Sequence, residues 1–578
     1  MTENAGRATT QHRPSLPLFT SLQGYRRSWL TGDLIAGLTV WAVLVPEALA
    51  YASIAGVSPV VGLYAAPSAL VLYAAFGSSK HLVTGPMAAT AALSAAAVAD
   101  LATPDSFAAF TVALALMTGV LALLAGLFRL GFLASFISEP VLKGFIIGLA
   151  LTIIVGQVPK ILGIEKGEGN FFRQLWEIVR HLGDTDGPTL AVGIASLAIV
   201  LLLRRFAPRV PGSLVAVLFG IVIVALFDLD EHGVTIVGEI DSGLPDVGLP
   251  DGLGFHDYLA TAASAVGIML VGFAEGLGAA KTYATRNHYE IDTNKELLGL
   301  GAANIGSAFT SGMVVNGSLS KTAVNGSAGA RSQLSGLVVA ALAIVTLLFL
   351  TGLFEDLPEA TLGAVVIAAL IELVDIPALR ELYRLYTGRI GRIYGPAARP
   401  DFIAAIAAML GVLFFDTLPG LFIGIAVSLL LLLYRSSKPN VAVLGMVPGT
   451  RTQFADRDRH PENEAQPGVV VVRVESGLFF ANADTVRADL VARADEPGVR
   501  VLVLDAESMP FVDITAIRML RELAEELRDR GTTFALANEI GQVRDLMRQH
   551  ASADLPLVYR TVAEAVDALS KRMPDDPA

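Results

Sequence analysis

Two stretches decide the fold of this chain. The first is Thr84-Gly85-Pro86-Met87-Ala88-Ala89-Thr90-Ala91-Ala92, and the second is Asn316-Gly317-Ser318-Leu319-Ser320-Lys321-Thr322-Ala323-Val324-Asn325-Gly326. Each is a breaker followed by a run of small helix-forming residues. Pro86 suits a first helical turn, where a missing N–H is no loss, and Ser318 or Ser320 can cap the second helix. A half-helix that begins inside a bilayer leaves its first backbone N–H groups unpaired and points its positive dipole end into the gap. Two such ends facing each other make an anion site from backbone alone. Paired broken segments in matching halves of a membrane chain point to a transporter's binding site.

The surrounding sequence supplies the membrane. A span needs about 20 mostly apolar residues. Candidates lie near 33–52, 57–76, 107–128, 132–157, 189–206, 213–229, 258–283, 333–354, 401–416 and 418–435, with further segments near 296–314 and 360–375. With the broken pieces at 86–100 and 318–330 they make fourteen, and each broken piece stands third in its run of seven. Of 578 residues, 53% are hydrophobic and 17% charged, against about 25% charged in a typical soluble protein. Charge is also divided: residues 33–157 carry eight charged side chains and residues 438–578 carry 40. The expected organisation is an N-terminal segment 1–32, a transmembrane domain 33–437, a soluble domain 438–573 and a tail 574–578.

Loop charge orients the chain, because Lys and Arg concentrate on the cytoplasmic side. Lys80, Arg129, Arg204, Arg205, Lys281, Arg286 and Arg331 follow even-numbered segments, and 376–400 adds Arg380, Arg384, Arg389, Arg392 and Arg399. Loop 228–257 holds eight acids and no Lys or Arg. Both termini are therefore expected in the cytoplasm, with the chain in the inner (plasma) membrane. Residues 1–32 are polar and basic with no apolar core, so the first span is expected to insert uncleaved. A net charge of −12 disfavours nucleic acid as a partner. The absence of cysteine excludes disulfides, thiolate metal sites and cysteine nucleophiles. The eight histidines show no metal spacing and read as surface or loop residues.

Three charges in the apolar body are candidates for its chemistry. Lys321 lies at the start of the second half-helix, and an intramembrane cation is expensive and usually functional. Glu47 follows Pro46 in the first segment, and Glu275 sits in Val271-Gly272-Phe273-Ala274-Glu275-Gly276-Leu277-Gly278 of the eighth. Two carboxylates beside an anion site repel the substrate unless one takes a proton or an ion pair. Glu275 is then either neutralised by a proton when the anion binds, or paired permanently with Lys321. The glycines around it, from Gly267 to Gly278, read mostly as packing residues.

The stretch Pro46-Glu47-Ala48-Leu49-Ala50-Tyr51-Ala52-Ser53-Ile54-Ala55-Gly56-Val57-Ser58-Pro59-Val60-Val61-Gly62-Leu63-Tyr64, with Phe76-Gly77-Ser78-Ser79-Lys80-His81 leading into Thr84-Gly85-Pro86, resembles the signature of the sulfate permease (SulP) anion transporters, the family that includes prestin and pendrin. The resemblance implies two inverted seven-segment repeats arranged as a core and a gate, an elevator-like movement, and a homodimer. It implies an anion site lined by Glu47, Tyr51, Pro86, Met87, Leu319, Ser320 and Lys321. Many relatives carry glutamine, arginine and an aromatic residue where this chain has Glu47, Lys321 and Met87. Lysine is a point charge and does not clamp an oxyanion bidentately as arginine does. Sodium-coupled relatives use an Asp followed four residues later by Thr; the pair here is Glu275 and Ala279, which favours protons.

Beyond residue 440 the pattern changes. Val469–Val474, Val501–Leu504 and Thr533–Leu536 read as strands, and 513–530 reads as an amphipathic helix, giving a small α/β domain. It resembles the STAS domain. Asp513 is a good N-cap, and Thr515 stands where anti-sigma antagonists carry a phosphorylated serine. No P-loop, HExxH or nucleophile elbow occurs, so no enzyme, cofactor or metal is expected. The expected fold is an all-α polytopic membrane domain with a C-terminal α/β domain. The expected function is proton-coupled transport of a small anion (sulfate, bicarbonate, chloride or dicarboxylate), with an anion channel or a membrane-anchored signalling scaffold as alternatives.

Overall fold

The computed structural model describes residues 18–99, 101–132, 138–167, 169–207, 210–240, 242–371, 373–387, 399–415, 417–541, 543–545 and 556–572. Arg389 and Arg392, the first 17 residues and the tail 574–578 lie outside the described residues. The chain divides into two compact units, Met1–Ser428 and Leu429–Ala578.

The first unit is helical. Its apolar helices are α1 (Leu30–Ile54), α2 (Pro59–Phe76), α3 (Ala88–Ala99), α4 (Phe107–Leu127) and α5 (Glu139–Leu162). After a short amphipathic helix, α6 (Phe171–Arg180), come α7 (Gly187–Phe206) and α8 (Gly212–Phe227). The short α9 (Phe255–Ala260) precedes α10 (Ala262–Arg286), α11 (Thr293–Phe309), α12 (Leu319–Ser327), α13 (Leu334–Phe349) and α14 (Glu359–Ile371). Helices α15 (Ile376–Thr387), α16 (Arg399–Phe415) and α17 (Thr417–Ser437) follow, the last running across the division between units. Among the described residues, eight helices are long and apolar enough to cross a membrane, and α3, α8, α13 and most of α16 are shorter apolar helices. With α11 and the nine-residue α12, the apolar segments are those the hydropathy pattern marks.

The two interrupted segments meet. Strand β1 (Val83–Gly85) pairs antiparallel with β2 (Asn316–Ser318), placing Val83 opposite Ser318, Thr84 opposite Gly317 and Gly85 opposite Asn316. Each strand leads into a half-helix, α3 or α12. This ladder satisfies backbone groups that would otherwise be stranded away from water. Around it, α1 packs against α2, α12 and α13, and α10 against β2 and α4. Gly62 lets α2 lie directly on α1, since a Cβ there would collide with the Ala48 carbonyl. Gly272 and Gly276 leave room for the Asn316 side chain, whereas Gly278 faces open space.

The second unit contains a mixed six-stranded sheet in the order β4-β3-β5-β6-β7-β8, made of β3 (Val441–Met446), β4 (Phe454–Asp456), β5 (Val469–Val474), β6 (Val501–Asp505), β7 (Thr533–Ala537) and β8 (Leu557–Tyr559). Strands β5 to β8 are parallel, and β3 runs antiparallel to β4 and β5. Helices α18 (Ala483–Ala494) and α19 (Ile514–Asp529) contribute Val486, Leu490, Leu520 and Leu523 to one apolar core. Helix α20 (Val562–Ser570) contributes Val562, Val566 and Leu569 to another. The three strands expected from the sequence are present. Of the other three, β4 and β8 are edge strands of three residues, too few for a pattern to show, whereas β3 is a six-residue apolar run that the sequence reading leaves out.

Candidate functional site

Lys321 is the centre of the site. It lies in the first turn of α12, 1% exposed, and its own N–H is capped by Ser318 Oγ at 3.2 Å. Its Nζ donates to Pro86 O at 3.1 Å, a carbonyl freed by the break before α3. It lies 2.8 Å from Glu47 Oε2 and 5.0 Å from the centre of the Tyr51 ring. Glu47 and Tyr51 are one helical turn apart on α1 and share the face toward α12. One ammonium therefore joins α1, the entrance to α3, and α12.

This arrangement corrects one of the two readings of Glu275. Lys321 pairs with Glu47, not with Glu275. The Oε2 of Glu275 is buried and has no hydrogen-bond partner among the described residues. Residue spacing could not have distinguished the two carboxylates, because both lie in apolar helices beside the same lysine.

Of the seven residues expected to line the site, Glu47, Tyr51, Pro86 and Lys321 are in direct contact. Met87 is buried immediately before α3, and Leu319 and Ser320 are exposed in the first turn of α12. Ser320 Oγ is 3.1 Å from Ser318 Oγ. The starts of the two half-helices are thus tied together by one buried cation, Lys321, and its counter-charge, Glu47.

Residues 30–390 match the sulfate permease family model, and residues 460–565 match the STAS domain model. The chain belongs to the sulfate permease family. A probable sulfate transporter of Mycobacterium tuberculosis (strain ATCC 25618 / H37Rv) is 37% identical over 563 residues, 96% of this chain and 98% of that protein. High affinity sulfate transporter 2 of Stylosanthes hamata is 30% identical over 568 residues, 93% of this chain and 83% of its own length. The solved murine Slc26a9 anion transporter, in an inward-facing state, has a TM-score of 0.86 at 22% identity, covering 98% and 97% of the two chains. The transmembrane domain of the cyanobacterial bicarbonate transporter BicA has a TM-score of 0.59 at 23% identity, over 69% of this chain and 98% of its own. These two likenesses establish the fold: a helical membrane domain with a C-terminal STAS domain.

This member of the sulfate permease family also contains polar clamps that its sequence does not advertise. Glu296, in the first turn of α11 and fully buried, accepts from Tyr73 OH at 2.7 Å, Ser78 N at 2.9 Å, Ser78 Oγ at 2.6 Å and Ser79 N at 2.9 Å. Asp33, in the first turn of α1, accepts from Arg331 N at 2.6 Å, Ser332 N at 3.2 Å and Ser332 Oγ at 2.8 Å. One carboxylate grips the segment leading into β1 and the other the segment leaving α12.

His81 lies between these clamps. It is 3% exposed, which corrects the expectation that the histidines are surface or loop residues: His81 is in a connection, but a buried one. Its Nε2 lies 3.1 Å from Ala330 O and its Nδ1 3.1 Å from Tyr289 OH. The carbonyl must accept, so Nε2 carries the proton in this network and Nδ1 accepts from the tyrosine. Asn325 Nδ2 donates to His81 O at 2.9 Å, and Val83 N donates to Thr322 Oγ1 at 3.1 Å. The connection before β1 is thereby tied directly to α12.

In the STAS domain, Asp513 caps α19 by accepting from Ala516 N at 2.8 Å, and its other oxygen accepts from Phe480 N at 2.8 Å. Thr515 is exposed in the first turn. Both oxygens of Asp513 have structural work, which supports its reading as a cap.

Proposed function

We propose that this protein carries sulfate, together with a proton, by alternating access, with the anion held between the N-termini of α3 and α12. The curated relatives are named as sulfate transporters, which makes sulfate the first substrate to test. The observation that carries the proposal is the buried Lys321–Glu47 pair. While Glu47 is ionised, Lys321 is already neutralised and an arriving anion meets a carboxylate. A proton on Glu47 releases the ammonium and removes that repulsion, so anion and proton bind as a set. Glu275 is a second candidate carrier of the proton: its buried, unpartnered oxygen lies in the electrostatic reach of the same lysine. In this reading the membrane domain is two inverted seven-segment repeats, α3 and α12 move as part of a core against a gate, and the protein works as a homodimer. In the same reading both termini are cytoplasmic, which the loop charges support.

The test is uptake of labelled sulfate into proteoliposomes, with chloride, bicarbonate and dicarboxylates as competitors. We expect saturable uptake driven by an inward proton gradient. Lys321→Met removes it. Glu47→Gln keeps sulfate uptake but loses the gradient dependence. If Glu47→Gln keeps that dependence and Glu275→Gln loses it, Glu275 carries the proton. Unsaturated conductance independent of any gradient would establish a channel instead. Absence of flux, with Lys321 and Glu275 dispensable, would leave a signalling scaffold.

A further inference from the structure

We propose that α6 is an in-plane membrane anchor whose apolar face lies in the boundary between acyl chains and headgroups. Its place in the chain sets its level. Asp186 N, just before α7, donates to Leu162 O, the last residue of α5, at 3.0 Å. The connection carrying α6 therefore leaves and returns at one point, the rim where two spans end. A third span ends at the same level: the rings of Phe172 and Phe414, near the end of α16, lie 4.6 Å apart, and Asn170 Nδ2 donates to Phe414 O at 3.2 Å.

The composition of α6 fits that level. Phe172, Leu175, Trp176 and Val179 follow helical spacing and form one stripe. They are exposed by 42%, 42%, 65% and 53%, while Ile178 on the adjoining face is buried against the protein. Arg173 and Arg180 border the stripe on one side, and Glu177 and Gln174 lie beyond them. The stripe continues onto Phe414 and Phe415, which are also exposed. An aromatic belt beside arginines is the pattern of a helix lying in the interface, with Trp at headgroup depth and Arg reaching to phosphate. Two tight connections hold this helix at the ends of three spans, so a lipid surface is the partner in reach of its apolar face.

The chain contains no cysteine, so a single introduced thiol labels one site in the intact protein. Nitroxide labels are placed at Leu175→Cys, Trp176→Cys, Val179→Cys, Arg173→Cys and Arg180→Cys in the full chain, in vesicles of phosphatidylethanolamine and phosphatidylglycerol. Collision with oxygen is compared with collision with a water-soluble nickel chelate. We expect oxygen to dominate at 175, 176 and 179, and the ratio to shift toward nickel at 173 and 180. Dominance of nickel at 175, 176 and 179 would place the stripe in water and overturn the proposal. Low collision with both probes there would mean that protein, such as a second copy of this chain, covers the stripe, and would overturn it as well.

Discussion

A fully enclosed ammonium is tolerable only because a carboxylate and a carbonyl meet it, and this makes the Lys321–Glu47 pair asymmetric to mutation. Removing one member leaves the other buried and unpaired, at a cost of about 3–5 kcal/mol, whereas replacing both with neutral groups of similar size is close to neutral. Lys321→Met should therefore lower the melting temperature in detergent more than the Lys321→Met/Glu47→Gln double variant does, although neither takes up sulfate. A double variant no more stable than Lys321→Met would show that the two side chains are not energetically coupled. His81 gives a second test at this scale. Burial holds its imidazole below the ordinary histidine range; the Ala330 carbonyl and Asp33 oppose that shift, and Arg331 and Lys80 reinforce it. Between the folded value and the ordinary value of about 6.5, the unfolded chain takes a proton that the folded chain refuses. Its contribution to stability is therefore full above about pH 6.5 and declines as the medium is acidified. Thermal melts from about pH 7.5 to about pH 5.5 should show a falling midpoint, and His81→Gln should flatten the fall. Lys321, Glu47 and Glu275 stand out in the sequence because a charge in an apolar run is expensive, but which carboxylate pairs with the lysine does not. Asp33 and Glu296 do not stand out: an acid in the first turn of a helix looks like an ordinary complement to the dipole, and nothing local reveals that its partners lie more than 200 residues away.

At the scale of elements, the half-helices could be read because proline, glycine and serine punctuate them, and α19 because Asp513 precedes an amphipathic run. The cap gives a plain prediction. Asp513→Ala should destabilise the STAS domain by about 1 kcal/mol from the lost cap, and by more if the bond from Phe480 N is not replaced by water. Thr515→Ala, on an exposed hydroxyl, should leave the melting temperature within error. If Thr515→Ala proves the more damaging of the two, the hydroxyl has a partner that Asp513 does not explain. Strands β1 and β2 were not legible. Three residues are too few for a period to emerge, and what makes them strands is each other. Helix α6 was missed for a different reason: hydropathy windows average out a helix that is half apolar and half charged.

Across the whole molecule, the division between a charge-poor body and a charge-rich end signalled a membrane domain followed by a soluble one, because burying a charge in lipid is expensive whatever the topology. Net charge said nothing about the substrate. In the proposed reading the anion site is made locally, by two helix ends and one lysine, in a protein that is acidic overall. The β1–β2 ladder has a consequence for which anions fit there. A strand pair changes register only in whole residues, and a shift of one residue turns every side chain to the opposite face. The distance between the two half-helix ends therefore cannot drift to suit a larger or smaller ion; the ladder acts as a fixed calliper. Selectivity by size then falls to the side chains between its jaws. Met87, unbranched and adaptable, just before α3, and Leu319, in the first turn of α12, are two apolar residues at those ends. Met87→Ala and Leu319→Ala should raise uptake of bulkier oxyanions relative to sulfate, while substitutions away from the jaws leave that ratio unchanged. On the proposed reading the backbone sets the width of the site, and two replaceable side chains trim it.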